Sequence, residues 1–114
     1  MSDEIYDMYA SIFKALSHPT RIKIIELLAT KGEMCVCNIS ENLKIDQPTV
    51  SKHLSILKNA GIIESKKEGL MVNYKIRMPC IVDFFRCANQ VIQADINAKF
   101  ALSLKKIEVM KEEK

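Results

Sequence analysis

The spacing of apolar residues changes twice along this chain of 114 residues, and the change limits the folds it can adopt. Up to Gly61 the apolar residues recur every three or four positions, which indicates amphipathic helices. Between residues 62 and 76 they alternate with polar residues, which is typical of two strands. Helical spacing returns after Pro79 and continues to about residue 108. The sequence therefore predicts one domain over 1–114, mainly α with a small β-hairpin (an α+β fold).

Local signals divide the first half of the chain into helices. The run Ser17-His18-Pro19-Thr20 breaks one helix and opens another, with Ser17 as a candidate cap and Pro19 in the first turn. Asp46 is predicted to cap a further helix that extends to about Asn59. The other stretches predicted to be helical cover about residues 5–16, 21–30 and 34–43.

The helix after Asp46 has two different faces. At 100° per residue, three apolar residues share one side, and they are Val50, Leu54 and Leu57. The opposite side is small, polar and basic, and it includes Lys52 and Ser55. A helix-turn-helix over about 34–60 followed by a hairpin over 61–76 is the order of a winged helix-turn-helix. In that fold the second helix enters the major groove of DNA.

The polar side of this helix and the hairpin supply the candidate DNA contacts. Small side chains permit close approach, whereas Gln47 and Lys52 can hydrogen-bond to bases or phosphates. Lys66 and Lys67, at the expected hairpin tip, suit a phosphate or minor-groove contact. For His53, a phosphate contact and a packing role both stay open. The predicted DNA-facing residues are Gln47, Thr49, Ser51, Lys52, His53, Ser55, Lys66 and Lys67.

The net charge is concentrated in the same region. The chain has 17 Lys and Arg against 14 Asp and Glu, a net charge of +3. Residues 44–75 alone hold six lysines and three acidic residues, so they account for the whole excess. A localised basic surface favours a polyanionic partner, in agreement with double-stranded DNA.

Three segments resemble the ArsR/SmtB family of small metal-responsive repressors. Residues 13–22 (FKALSHPTRI) are similar to the opening of that family, and residues 47–54 (QPTVSKHL) resemble its recognition helix. Residues 34–39 (MCVCNI) resemble the thiol metal box of its arsenic, antimony, cadmium and lead sensors. The resemblance implies a homodimer, joined through its N- and C-terminal helices (the latter over about 80–108). It also implies a repressor that leaves its operator when an effector binds.

The cysteines are the candidate effector ligands. Cys35 and Cys37 carry soft thiolates, which suit As(III) or Sb(III) first and Cd or Pb next. Positions two apart on a regular helix point about 200° from each other, so a shared ion requires irregular backbone here. The family's arsenic-type third cysteine position holds Ser40. Cys80 and Cys87 are the remaining candidates, although the apolar neighbours of Cys87 favour a buried core thiol. Residues 80–114 contain no His for a zinc site.

Other readings of the sequence stay open or are excluded. Thiol oxidation is an alternative effector signal within the repressor class. A dimeric protein-interaction module without DNA binding is the alternative from another class. An enzyme is not expected, since there is no Gly-rich phosphate loop and no C-x-x-C. No apolar run is long enough to cross a membrane and the first residues are acidic, so we expect a cytoplasmic protein without an obligatory cofactor.

Overall fold

The computed structural model describes residues 2–112, with side chains to residue 110. These residues form five helices and three strands, which confirms the mainly α fold with a small β component. In chain order they are α1 (Asp3–Leu16), α2 (Pro19–Lys31), β1 (Met34–Cys35), α3 (Val36–Leu43), α4 (Gln47–Asn59), β2 (Ile63–Glu68), β3 (Met71–Ile76) and α5 (Cys80–Glu112). The chain divides into a compact unit that ends at Val82 and a second unit that begins at Asp83 within α5.

Side-chain caps fix the boundary between α1 and α2. The hydroxyl of Ser17 donates to the carbonyl of Lys14 at 2.7 Å, so Ser17 ends α1 and is not the cap of α2. His18 has that role, because its Nδ1 accepts from the backbone N–H of Thr20 at 3.1 Å. Pro19 then occupies the first helical position, where its missing N–H removes no hydrogen bond.

Strand β1 is the main departure from the predicted fold. Residues 34–43 have helical spacing, yet Met34 and Cys35 are extended and pair antiparallel with Tyr74 and Asn73 of β3. Helix α3 begins only at Val36. The sheet order is β1-β3-β2, so the hairpin is joined to the start of the helix-turn-helix. Both β1 residues are buried, and this tertiary pairing outweighs the local helical pattern.

The hairpin is longer than the sequence pattern indicated. Strands β2 and β3 pair from Ile63↔Ile76 to Glu68↔Met71, and the loop consists of residues 69 and 70 alone. The expectation that residues 66–69 form the tip was therefore wrong for Lys66 and Lys67, which lie within β2. Cross-strand hydrogen bonds extend the ladder through residues 66–68, although apolar and polar residues do not alternate in this part of β2.

The core of the first unit lies where α2, α3, α4 and β2 meet. The largest fully buried side chains are Ile24, Ile25, Ile39, Leu54, Leu57, Ile62, Ile63 and Val50. Burial of each such side chain contributes about 1.5–3 kcal/mol to folding. The three predicted inward residues of α4 are all among them. Packing of this face fixes which side of α4 remains in solvent.

Helix α5 begins at Cys80, as predicted, and continues to Glu112. Many of its large apolar side chains remain half exposed or more, and they include Val91, Ile92, Ile96, Phe100, Leu102 and Met110. Among the described residues, no helix is both long enough and apolar enough to cross a membrane.

Candidate DNA-binding surface and thiol site

Helix α4 begins at a side-chain cap. The carboxylate of Asp46 accepts from the backbone N–H of Thr49 at 3.0 Å and from its hydroxyl at 2.8 Å. The hydroxyl hydrogen bond, and then the N–H, hold the pKa of Asp46 below its ordinary value. The same contact orients the first turn of the helix. It also uses the hydroxyl proton of Thr49, which leaves the methyl group and the two oxygen lone pairs for an external contact.

The side of α4 opposite the core carries most of the predicted DNA contacts. Val50, Leu54 and Leu57 are fully buried, which confirms the division into two faces. The exposed residues along the other side are Gln47, Pro48, Thr49, Ser51, Lys52 and Ser55. Lys52 forms no ion pair with any described residue, so its charge is available to a phosphate. This surface combines small polar groups with one uncompensated cation.

His53 differs from its neighbours on α4 because its ring is turned toward α2. Its Nδ1 accepts from Nε of Arg21 at 3.2 Å, and its ring lies 4.6 Å from the ring of His18. Arg21 also donates to the carbonyl of Ala15 at 3.3 Å. Desolvation, followed by the charges of His18, Arg21 and Lys52, lowers the pKa of His53. The neutral ring therefore joins the recognition helix to α1 and α2.

Most lysines of the hairpin are paired with carboxylates. Lys66 lies 3.6 Å from Glu68, and Lys75 lies 3.4 Å from Glu64. Lys67 forms no ion pair with a described residue. These exposed pairs are weak and a phosphate competes with them readily. Lys67 can thus contact a phosphate without breaking an ion pair to a described residue.

The backbone brings the sulfurs of Cys35 and Cys37 together. The two Sγ atoms are 2.7 Å apart. Cys35 is extended (φ −82°, ψ 164°) at the end of β1, whereas Cys37 lies in the first turn of α3. The strand-to-helix junction supplies the irregular backbone that a shared ligand requires. It does so without any rearrangement of a regular helix.

The thiol pair is electrostatically unequal. The hydrogen bond from the Cys37 thiol, with help from the backbone N–H of Asn38, lowers the pKa of Cys35 below that of an ordinary cysteine. The same hydrogen bond raises the pKa of Cys37. Cys35 is only 4% exposed, whereas Cys37 is exposed. The ionised form is thus favoured more at buried Cys35 than at Cys37, whose thiol faces solvent.

A third protein ligand is absent from the described residues. They contain no group of three His, Cys, Asp or Glu side chains that could hold a metal ion. The hydroxyl of Ser40 donates to the carbonyl of Ile45 and so closes the turn before α4. Cys80 and Cys87 are free and exposed. The expectation of a buried Cys87 was wrong, because the apolar side chains around it in the sequence do not cover its thiol in this chain.

Comparisons with known proteins agree with this architecture. Residues 18–65 match the family described as bacterial regulatory protein, arsR family. An uncharacterized HTH-type transcriptional regulator of Methanocaldococcus jannaschii is 53% identical over 73 residues, which cover 64% of this chain and 82% of that protein. The arsenical resistance operon repressor of Escherichia coli K12 is 34% identical over 90 residues, which cover 73% of this chain and 77% of that protein. The chain belongs to the ArsR family.

A solved structure supports the same conclusion for the fold. The solution structure of a homodimeric winged helix-turn-helix DNA-binding domain from Mycobacterium bovis has a TM-score of 0.74 and 29% identity. The match covers 84% of this chain and 91% of that domain. Our ArsR-family chain is thus a DNA-binding transcriptional regulator with a winged helix-turn-helix fold. The prediction that it is not an enzyme is confirmed, because the family and its relatives are regulators.

Sequence reasoning missed three features of this ArsR-family site. The pairing of Cys35 with Asn73 has no local signal, since it depends on a strand far along the chain. The contact between Arg21 and His53 spans 32 positions and is equally invisible to periodicity. The Gly69-Leu70 loop did have a signal, because a glycine at the first position of a two-residue loop suits a hairpin turn.

Proposed function

We propose that this ArsR-family regulator is a cytoplasmic, homodimeric repressor that leaves its operator when a soft metal(loid) binds Cys35 and Cys37. As(III) or Sb(III) is the first candidate effector, and Cd or Pb is the next. The observation that carries the proposal is the convergence of the two sulfurs, 2.7 Å apart, at the junction of β1 and α3.

The DNA side of the proposal rests on the exposed face of α4. Gln47 and Lys52 reach toward bases or phosphates, and Ser51 and Ser55 allow close approach. Thr49 contributes its methyl group, since Asp46 holds its hydroxyl proton. We assign His53 to positioning, because its ring is packed against α2. Lys67 of the hairpin adds a phosphate contact beside this helix, whereas Lys66 lies on the hairpin face that carries Glu64 and Glu68.

Exposed apolar side chains at both ends of the chain support dimer formation. Helix α1 exposes Tyr6 and Met8, which are 55% and 66% accessible, and α5 exposes a longer apolar series. Large apolar patches on a small domain mark protein interaction sites. The related Mycobacterium bovis domain is homodimeric. A second copy of this chain would cover these residues and place two recognition helices on one operator.

The chemistry of the thiol pair supports a soft effector. Thiolates prefer soft ions. The hydrogen bond from Cys37 lowers the pKa of Cys35 and so favours its thiolate form. With no third protein ligand among the described residues, we propose that two sulfurs from one chain form the minimal site. An As(III) compound with one aryl substituent, such as phenylarsine oxide, needs only two thiolates and thus matches this donor set.

The position of the pair explains how ligand binding would reach DNA. Cys35 is paired with Asn73 of the wing strand β3, and Cys37 is in the first turn of α3, which packs against α4. A ligand that draws both sulfurs into new positions therefore strains the wing and the support of the recognition helix together. Typical coupling of about 1–3 kcal/mol corresponds to a roughly 5–150-fold loss of DNA affinity.

Fluorescence anisotropy with fully reduced protein tests this proposal. The duplex is the DNA just upstream of the coding region, or one selected from a random library by the wild type. Arsenite should release the wild type but not the Cys35→Ser/Cys37→Ser variant, which should still bind DNA. Cys87→Ser serves as the control and should respond like the wild type. Release of the double variant by arsenite would contradict the proposal.

Thiol oxidation is the second candidate signal, and the closeness of the two sulfurs, with Cys37 exposed to solvent, favours it. A thiolate attacks one oxygen of hydrogen peroxide and breaks the O–O bond, which yields a sulfenate and water, and the sulfenate takes a proton from solvent. The same anisotropy assay separates the two signals. Release by peroxide with no response to arsenite or phenylarsine oxide would assign these thiols to redox sensing and leave the DNA-binding function intact.

A further inference from the structure

The hairpin of β2 and β3 is the wing of this fold, and its tip holds an apolar residue that is fully exposed to solvent. Strands β2 and β3 end at the pair Glu68↔Met71, so the loop is Gly69-Leu70 alone. Gly69 has φ +63°, the left-handed conformation that glycine adopts without strain at the first position of such a turn. Leu70 is held at the apex, and its side chain is fully exposed.

The exposed apolar surface continues from the apex into β3. Met71 is half exposed and Val72 is 38% exposed. Single exposed apolar residues are common on protein surfaces, but three consecutive ones at the end of a hairpin are not favoured by folding. The tight turn presents Leu70 away from the core, where its fully exposed side chain buries no apolar surface in this chain.

The charges of the hairpin are sorted between its two faces. Residues paired across antiparallel strands share a face, so Lys67 and Val72 lie on the side that carries buried Ile63. Helix α4 packs against β2, which carries Ile63. Both acidic residues of the strands, Glu64 and Glu68, lie on the opposite face. The side toward α4 thus ends in a cation without an ion pair, an exposed valine and the apical leucine.

We propose that Leu70 is a wedge that enters the DNA minor groove beside the recognition-helix site and kinks the duplex at a base step. Lys67 holds the adjacent phosphate. Proteins that bend DNA through the minor groove insert Leu, Ile, Met or Phe between base steps, and the duplex bends toward the major groove. The face of the wing that carries Lys67 has no acidic residue of β2 or β3, so its charge is complementary to the phosphate backbone of DNA.

The wedge also predicts a sequence preference. Pyrimidine–purine steps such as TA and CA unstack at the lowest cost, whereas A-tracts are stiff. A flexible step under the wing would therefore raise affinity without any hydrogen bond from the protein to its bases. This inference rests on the DNA binding assigned above and adds a specificity determinant that the recognition helix does not supply.

DNA bending measured by energy transfer between dyes at the duplex ends tests the wedge. The duplex is one selected from a random library by the wild-type protein. We expect the wild type to bend it by roughly 20–90° and Leu70→Ser to leave it nearly straight. Affinity of Leu70→Ser should fall by about tenfold for each wing, and so by roughly a hundredfold for a homodimer that inserts both leucines. Leu70 makes no core contact, so the variant should unfold like the wild type.

Two matched variants separate the wedge from charge. Leu70→Met keeps an apolar side chain and should keep the bend. Lys67→Ala should lower the salt dependence of binding but retain a bend, whereas Leu70→Ser should leave the salt dependence unchanged. Replacing a flexible step under the wing by an A-tract step should weaken the wild type and not Leu70→Ser.

Four outcomes would overturn the wedge. A straight duplex in the wild-type complex, or an equal bend with Leu70→Ser, would exclude it while DNA binding stands. A changed oligomeric state of Leu70→Ser in sedimentation would assign the wing tip to contact with a second copy of the chain. Failure of the wild type to select or bind any duplex at low salt would instead remove the DNA-binding function itself.

Discussion

The salt dependence of DNA binding gives the sharpest test of the surface described above. Lys52 on α4 and Lys67 on β2 are exposed and form no ion pair with described residues. Lys75, in contrast, is 3.4 Å from Glu64 and lies on the hairpin face that carries both acidic residues. We expect Lys67→Ala and Lys52→Ala to remove phosphate contacts, and Lys75→Ala to remove none.

The size of the effect follows from counterion release. Each phosphate contact contributes about 0.9 to the slope of log affinity against log salt concentration, so a homodimer that loses two contacts loses about 1.8. When the salt concentration is raised from 50 to 200 mM, the variant should therefore lose roughly twelvefold less affinity for DNA than the wild type loses. A titration of the duplex followed by fluorescence anisotropy can measure a roughly twelvefold difference in affinity.

Fluorescence anisotropy at five or six salt concentrations measures these slopes. Lys67→Ala and Lys52→Ala should each give a slope shallower by about 1.8, and Lys75→Ala should stay close to the wild type. A wild-type slope for Lys67→Ala would show that the wing does not contact phosphate. Equal changes for all three variants would show that only the overall charge matters, and the assignment of individual contacts would be refuted.

Three further outcomes are expected. Leu54→Ala should lower the free energy of unfolding by about 2–5 kcal/mol in urea titrations, because the side chain is fully buried in the core. The pKa of His53 is lower in the folded protein than in the unfolded chain, so on acidification the unfolded chain binds a proton at His53 at a higher pH than the folded protein does. The free energy of unfolding should therefore fall as the pH drops below about 6.5. Urea titrations at pH 7.5 and 5.5 should show a smaller pH effect in His53→Gln. Phenylarsine oxide should still bind Cys80→Ser/Cys87→Ser at one equivalent per chain by mass spectrometry, since Cys35 and Cys37 alone suffice.

Each of these has a contrary result. A loss below about 1 kcal/mol for Leu54→Ala would mean that α4 is not packed as described. An unchanged pH effect in His53→Gln would transfer that titration to other groups. Absence of phenylarsine oxide binding in Cys80→Ser/Cys87→Ser would make Cys80 or Cys87 part of the effector site.

The helices were predictable because their signals are local. The apolar positions Val50, Leu54 and Leu57 are three or four residues apart, and Asp46 has the side chain that a cap requires. The structure agrees with both. The same holds for the start of α5 after Pro79. In these segments local propensity and tertiary packing favour the same conformation.

The thiol junction was predictable only in part. Two cysteines separated by one residue indicated soft ligands, and their periodicity indicated opposite sides of a helix. The pairing of Cys35 with Asn73 reverses that second expectation, because it holds Cys35 in a strand until α3 begins. A strand of two residues formed by a partner almost forty positions away leaves no pattern in the sequence around it.

His53 shows the same limit on the recognition helix. Its position on the flank of α4 was compatible with both a phosphate contact and packing. Only the fold brings Arg21 and His18 to its ring. Long-range contacts of this kind decide which polar residue remains available to a ligand, and they cannot be deduced from the spacing of residues on one helix.

Reciprocal binding measurements test the central claim, that ligand binding at Cys35 and Cys37 weakens DNA binding, most directly. If the thiol site and the DNA surface are coupled, each ligand must change the affinity for the other by the same factor. Arsenite affinity is therefore measured by calorimetry with free protein and with saturating duplex, beside duplex affinity with and without arsenite. We predict that DNA weakens arsenite binding by the factor by which arsenite weakens DNA binding, roughly 5–150-fold. Arsenite affinity that is identical with and without DNA would contradict the account.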